Sequence, residues 1–292
     1  MFGAVAIVLP VLLIPSLSWS QQKPKTFWTG PSDGFTINWT SKNLQAKSTS
    51  NQPVFDARRL ASDRWTVLNK EAEAAGKDRP PAPAGDLGHS VTIDYTLVSV
   101  VGSVMTVSNE EYCECGGAHP SDSIEFQAID LKKSTAGKVT YASLADYFPP
   151  ASIYSALMAD KVVQTVLGDA ARPKDLTALV GALSNSMYTY PKDGCSFAFG
   201  ENPLTNFAFY DYREGKAAVR ISLACLVEVC RDDHIQLGIE LPVPEGPLRK
   251  ALSEAKVRKQ GFLMKEAKTI FVAKGADEVE TSFSFPEDSP KK

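Results

Sequence analysis

Val91, Ile93, Tyr95 and Leu97 alternate strictly with Thr92, Asp94 and Thr96. A period of two sends successive side chains to opposite faces, so this segment reads as a half-buried strand with one apolar and one polar side. Gly102 then permits a turn, and residues 103–112 form a second strand folded back on the first. A third strand is expected at 123–131, after the Gly116-Gly117-Ala118-His119-Pro120 turn. Strands resume at 195–199, 206–212, 216–223 and 234–241, with Gly215 in a hairpin-type turn. Near the start, Phe35, Ile37 and Trp39 alternate with polar residues and mark a first strand.

Helical periodicity interrupts these runs. Ala61, Trp65, Leu68, Ala72 and Ala75 recur at 4-3-4-3 spacing, which predicts an amphipathic helix over 58–75 with those residues inward. The prolines of 76–85 (GKDRPPAPAG) make a loop or short linker. Leu144, Tyr147 and Phe148 end a short apolar element before Pro149-Pro150. Ile153, Leu157, Val163 and Leu167 mark one helix. Leu176, Leu179, Val180, Leu183 and Met187 mark another, with Pro173 near its first turn, where a missing N–H costs little. A last helix over 247–259 turns Leu248, Leu252 and Ala255 inward. Antiparallel strands broken by a helical pair predict an α+β domain of antiparallel sheets with packed helices, not a doubly wound fold.

Residues 1–20 read as a signal peptide: an apolar block over 3–17, then small residues in Ser18-Trp19-Ser20, then polar Gln21. The block is shorter than the roughly 20 residues a bilayer span needs. No Lys or Arg precedes it, so an uncleaved anchor is the alternative. No later stretch is long and apolar enough to span. Residues 21–90 are expected to form an N-terminal strand–helix part of the same domain as 91–260, with 276–292 a flexible tail rich in Asp, Glu, Ser, Pro and Lys. At 43% hydrophobic, 22% charged and net charge −3 the chain is globular. The absence of a Lys/Arg run argues against a nucleic-acid partner, and none is expected. The expected location is periplasmic or secreted.

Of five cysteines, some should pair in an oxidising compartment, and the odd count leaves one over. Cys113 and Cys115 are poor partners for each other, because on an extended strand their Cα atoms lie about 6.5–7 Å apart. Cys225 and Cys230 close a small loop and are expected to pair. Cys195 is expected to pair with Cys113 or Cys115. A metal reading of Cys113, Cys115 and His119 lacks an evident fourth ligand, so no metal and no cofactor are expected. His119 is read as fixing its own turn, with Gly116 and Gly117 free to take tight geometry and Pro120 stiffening the exit. Asp130 and Asp146 are read as caps of backbone N–H groups. Ser253-Glu254-Ala255-Lys256 matches S-x-x-K but lacks the partner motifs of that chemistry. The chain is therefore expected to be no enzyme. The alternatives are a hydrolase using His119 with Asp122 or Asp130, or a metal-handling protein using Cys113, Cys115 and His119.

Taken in order, Tyr112, the GGAHP turn, Phe126, Asp130-Leu131, Gly137-Lys138 and the box Leu144-Ala145-Asp146-Tyr147-Phe148 resemble the RsiV-like (DUF3298) family of bacterial extracytoplasmic domains, which often follow a DUF4163-like half. Phe209-Tyr210 and Gly215 extend the resemblance, which covers roughly 91–241. Cys113-x-Cys115 and the longer 132–136 turn depart from the family pattern. The resemblance implies a secreted or tethered α+β domain whose relatives bind c-type lysozyme or sit beside a peptidoglycan deacetylase domain. It carries over a binding role, with lysozyme or peptidoglycan as expected partner, and neither a sigma-factor role nor deacetylase activity. The 224–233 loop, with Ala224, Leu226, Val227, Glu228, Val229 and Arg231, is the expected contact surface.

Overall fold

The structure is a computed structural model that describes residues 24–76, 91–113, 121–135, 137–169, 172–190, 194–225, 235–266, 270–271 and 283–284. Its N-terminal part is a four-stranded antiparallel meander, not a single strand. The strands are Thr26–Ser32 (β1), Phe35–Thr40 (β2), Leu44–Ser48 (β3) and Pro53–Asp56 (β4), in that order. Asp33 and Gly34 both take positive φ, 45° and 83°, and close the first hairpin. An Asp-Gly pair is suited to such a turn because both central residues need that backbone region.

Helix α1 (Ala57–Gly76) follows β4 directly. The Asp56 carboxylate accepts from the Arg59 N–H at its start. Side chains of Asn43 and Gln45 also donate to Asp56. Burial alone would raise its pKa. These bonds outweigh that, and the carboxyl is held below its usual value.

The centre of the fold is the long antiparallel sheet of Val91–Val101 (β5), Val104–Cys113 (β6) and Ser121–Asp130 (β7), ordered β5-β6-β7. One face, through Leu97, Met105, Val107 and Ile129, shares a core with Ile37, Leu44, Ala46 and Phe55 of the meander. The strand–helix segment and the β5–β7 sheet therefore bury a common interior. The other face sets Val98 and Phe126 against Ala208 and Met264. The free edge of β7 is covered: the N–H groups of Phe126, Ala128 and Asp130 donate to Ser222 Oγ, Thr205 C=O and Thr140 C=O. An edge satisfied this way cannot recruit a further strand.

The C-terminal half holds a second sheet, Phe207–Arg213 (β10), Lys216–Ser222 (β11) and Gln236–Pro242 (β13). A small sheet of Met187–Thr189 (β8), Ser196–Ala198 (β9) and Ala224–Cys225 (β12) lies beside it, ordered β12-β9-β8. Their largest core cluster joins Phe197, Phe207, Phe209, Ile221 and Leu237 to Ile153, Leu157, Val163, Leu179 and Leu183 on the helices. The architecture is α+β with antiparallel sheets and packed helices, as expected.

Three local expectations are corrected. The helix read across Ile153 to Leu167 is two helices, Pro150–Ala159 (α2) and Lys161–Leu167 (α3). They break at Asp160, whose side chain accepts from Val162 N–H at 2.8 Å and Val163 N–H at 3.3 Å and so caps α3. Met187 lies outside the next helix, Leu176–Ser184 (α4), on β8, and is 60% exposed. Trp65 is 52% exposed; α1 joins the core shared with the sheet through Ala57 and Leu60 and reaches Glu111 through Arg64 instead. The final helix, α5 (Pro247–Lys256), does bury Leu252 and Ala255. Among the described residues no helix is long and apolar enough to cross a membrane.

Candidate functional site

Register places the chemistry. Across β5, β6 and β7, Tyr95 pairs with Asn109 and Asn109 with Glu125; in the next row Ile93 pairs with Glu111 and Glu111 with Ser123. Directly opposed residues share a face. Tyr95, Asn109, Glu111 and Glu125 therefore lie on the face that carries Leu97, Val107 and Ile129. Toward one end of the sheet that face is a dry core against the meander. Toward the other end it becomes polar.

Helix α1 crosses the polar end. Arg64 donates from Nε and Nη2 to the two oxygens of Glu111, each at 2.9 Å, a bidentate pair. Tyr141 is bridged to Ile129 along the outer edge of β7 and is 49% exposed. Phe55 packs edge-on to Tyr95, ring centres 6.4 Å apart. A cavity of about 180 Å³ opens beside Tyr95, with Trp39, Asn43, Arg58, Ile93 and Asp94 among its walls.

Two acceptors in this row are left wanting. Asn109 is 8% exposed, and its buried Oδ1 has no hydrogen-bond partner. Such a group pays its desolvation without return. Among the described residues, Glu125 receives one long bond, 3.4 Å from Gln127 Nε2. Burial pushes the Glu125 carboxyl above its ordinary pKa, and the Glu111 charge pushes the same way; the Gln127 bond and Arg64 only partly oppose them. Burial likewise raises the Tyr95 and Tyr141 phenols, with the Glu125 charge adding to each. The row sets an unpaired amide oxygen beside a poorly bonded carboxyl, with the Tyr95 ring across from them. Both Glu111 oxygens are held by Arg64, so Glu111 and Glu125 are not a free acid–base couple.

The residues singled out in the sequence fall elsewhere. Asp130 is 4% exposed and accepts from the Lys132 and Lys133 N–H groups, while Lys133 Nζ sits 3.2 Å from its carboxylate and 3.7 Å from that of Asp146. Asp146 completes a capping box with Ser143. Both carboxylates are thus engaged with backbone and with Lys133. Gly116, Gly117, His119 and Pro120 lie outside the described residues, as does the Asp122 side chain. So do Leu226, Val227, Glu228, Val229 and Arg231 of the expected contact loop. Ala224 does not open that loop: it is in β12, paired with Ala198. Cys195 is 4% exposed and disulfide-bonded. Cys115 and Cys230, and the side chains of Cys113 and Cys225, lie outside the described residues. Ser253 Oγ donates to the Arg249 carbonyl within α5.

The Tyr95–Asn109–Glu125 row was not foreseen. Its signal was available: Asn109-Glu110-Glu111 and Glu125 place amides and carboxylates on strands at positions where alternation demands an inward side chain. A second concavity, an open groove of about 620 Å³, is bordered by Asp33, Lys132, Lys250, Glu254 and Gln260. Lys132 lies 2.7 Å from Asp33 within it, and Glu254 pairs with Lys259 outside it.

No family model matches the chain, and no curated protein is significantly similar to it.

Proposed function

We propose that this chain is a non-enzymatic binding domain working outside the cytoplasm, secreted or periplasmic, whose partner is a c-type lysozyme-like protein or a cell-wall component. The RsiV-like order of residues from GGAHP to Asp146-Tyr147-Phe148 supports the class and the partner. The observation that supports a binding role from the fold itself is the unpaired Oδ1 of Asn109 beside the poorly satisfied carboxyl of Glu125. Buried polar groups are nearly always paired, and one that is not calls for a reason. A ligand that completes the row is such a reason. The engagement of Asp130 with Lys133 and the turn amides argues against its acting as the partner of a catalytic His119.

Titration calorimetry of residues 21–292 against c-type lysozyme, beside a lytic assay, tests the reading. Sub-micromolar affinity, beyond about −8 kcal/mol, with lysis blocked is the expected result. Absence of heat with lysozyme and with soluble peptidoglycan fragments overturns it.

A further inference from the structure

We infer that the Tyr95–Asn109–Glu125 row is a receptor for a cationic nitrogen group, a guanidinium or ammonium, and that its occupation expels a proton from Glu125. The inference rests on the binding reading above and names the chemistry that reading leaves open.

Four observations converge on it. Asn109 Oδ1 is an acceptor, buried and unpaired, set by register between Tyr95 and Glu125. Glu125 is a second acceptor with little hydrogen bonding of its own. Tyr95, in the same row across Asn109 from Glu125, supplies an aromatic ring, and a cation gains from a ring face as well as from an acceptor. Finally, the neighbouring charges are Glu111, Glu125 and Arg64, and Arg64 spends two of its donors on Glu111. When ionised, Glu125 has no ion pair of its own among the described residues, and the Arg64 charge only partly offsets its desolvation. A neutral hydroxyl would satisfy Asn109 but not that charge. An anion would be repelled.

The proton balance follows. With the row empty, burial favours the neutral carboxyl. A bound cation favours the carboxylate, so a proton leaves to solvent as the cation enters. Affinity therefore rises with pH up to the raised pKa of the free protein and levels off above it. The free-state pKa lies above the ordinary carboxylate value, so the upper limit of this rise lies on the alkaline side of that value.

The probes are arginine amide and its neutral isostere citrulline amide, titrated into the full chain in two buffers of different ionisation enthalpy. Arginine amide is expected to bind weakly, with an apparent enthalpy that changes with the buffer. Citrulline amide is expected to bind at least about tenfold less well, ~1.4 kcal/mol. Glu125→Gln is expected to lower arginine amide affinity about tenfold or more and to abolish the buffer dependence. Asn109→Ser shortens the acceptor and is expected to weaken binding while leaving proton release intact. A single cooperative thermal transition in both variants shows that they fold. No binding of arginine amide up to about 10 mM, equal binding of the two amides, or full affinity in Glu125→Gln overturns the inference.

Lysozyme in the same cell separates the sources and the two claims. If lysozyme binds and Glu125→Gln weakens it, the cation is a basic side chain of the protein partner. If arginine amide binds and lysozyme does not, the cation is a free small molecule, and the inference stands while the lysozyme reading falls. If lysozyme binds with unaltered affinity to Glu125→Gln, the binding role stands and the inference falls.

Discussion

At the scale of single residues, a buried carboxylate, Asp211, and a half-buried one, Glu125, meet opposite fates. Asp211, 5% exposed, is held by Lys265 Nζ at 2.5 Å and accepts from the Tyr212 N–H at 2.7 Å. Burial pushes its pKa up, but the Lys265 bond, the Tyr212 N–H and the charges of Lys265 and Lys256 outweigh that, and the net shift is down. A carboxyl depressed in the folded state contributes stability that is present above its unfolded pKa, about 3.9, and is lost as pH falls through the folded value. Asp211→Asn should therefore cost about 2 kcal/mol at pH 7, the scale of a hydrogen bond to a charged group, and much less at pH 3. Urea unfolding at the two pH values reads this directly. An equal loss at both would mean that shape, not charge, is what Asp211 supplies. Glu125 has the reverse balance: the 3.4 Å bond from Gln127 and the Arg64 charge do not offset its desolvation.

At the scale of elements, strands were easier to read than helix ends. The alternation over 91–97 survives as β5, and the 216–223 expectation as β11, because a two-fold period with one buried face leaves little freedom of register. The helix expected across 153–167 failed at one side chain: apolar spacing runs through Asp160, and only its short carboxylate, bonded to the following N–H groups, ends one helix and starts the next. Trp65 misled for another reason. A large apolar residue at helical spacing reads as inward, but α1 reaches the sheet one residue earlier, where the still exposed Arg64 pairs with Glu111 far along the chain. Pairings of that kind are invisible to local periodicity. So are close backbone approaches such as Gly261, at φ 71°, where a Cβ would lie 2.1 Å from the Val100 carbonyl oxygen as Phe262 pairs antiparallel to Val100. Gly261→Ala must strain the backbone or break that bridge, at about 2–4 kcal/mol. Thermal unfolding should show the loss as a drop of several degrees, and a wild-type melting temperature would show that this bridge yields freely.

At the scale of the whole molecule, the α+β class was legible from the alternation of strand and helix patterns, and the candidate site was not. The expected site sat in the GGAHP turn and the 224–233 loop, where sequence is distinctive. The site argued from geometry sits mid-strand, on β5, β6 and β7, where Tyr95, Asn109 and Glu125 come together only through register. The same face of one sheet is a satisfied core where it meets the meander and an unsatisfied polar row where it meets α1. A fold built only for stability would have extended the first condition over the second. The central claim is that Glu125 is kept half-buried at the expense of folding. A carboxyl whose folded pKa is raised contributes stability that is full below its unfolded pKa, about 4.3, and declines as pH rises through the folded value. Glu125→Gln removes that decline. The deciding measurement is the melting temperature of wild type and Glu125→Gln between pH 4 and pH 8. The variant should match or trail wild type at pH 4 and exceed it at pH 8, the gap opening above pH 4.3. A variant less stable at pH 8 by as much as at pH 4, or by more, would show that the ionised carboxylate is stabilised where it lies, and would contradict the claim.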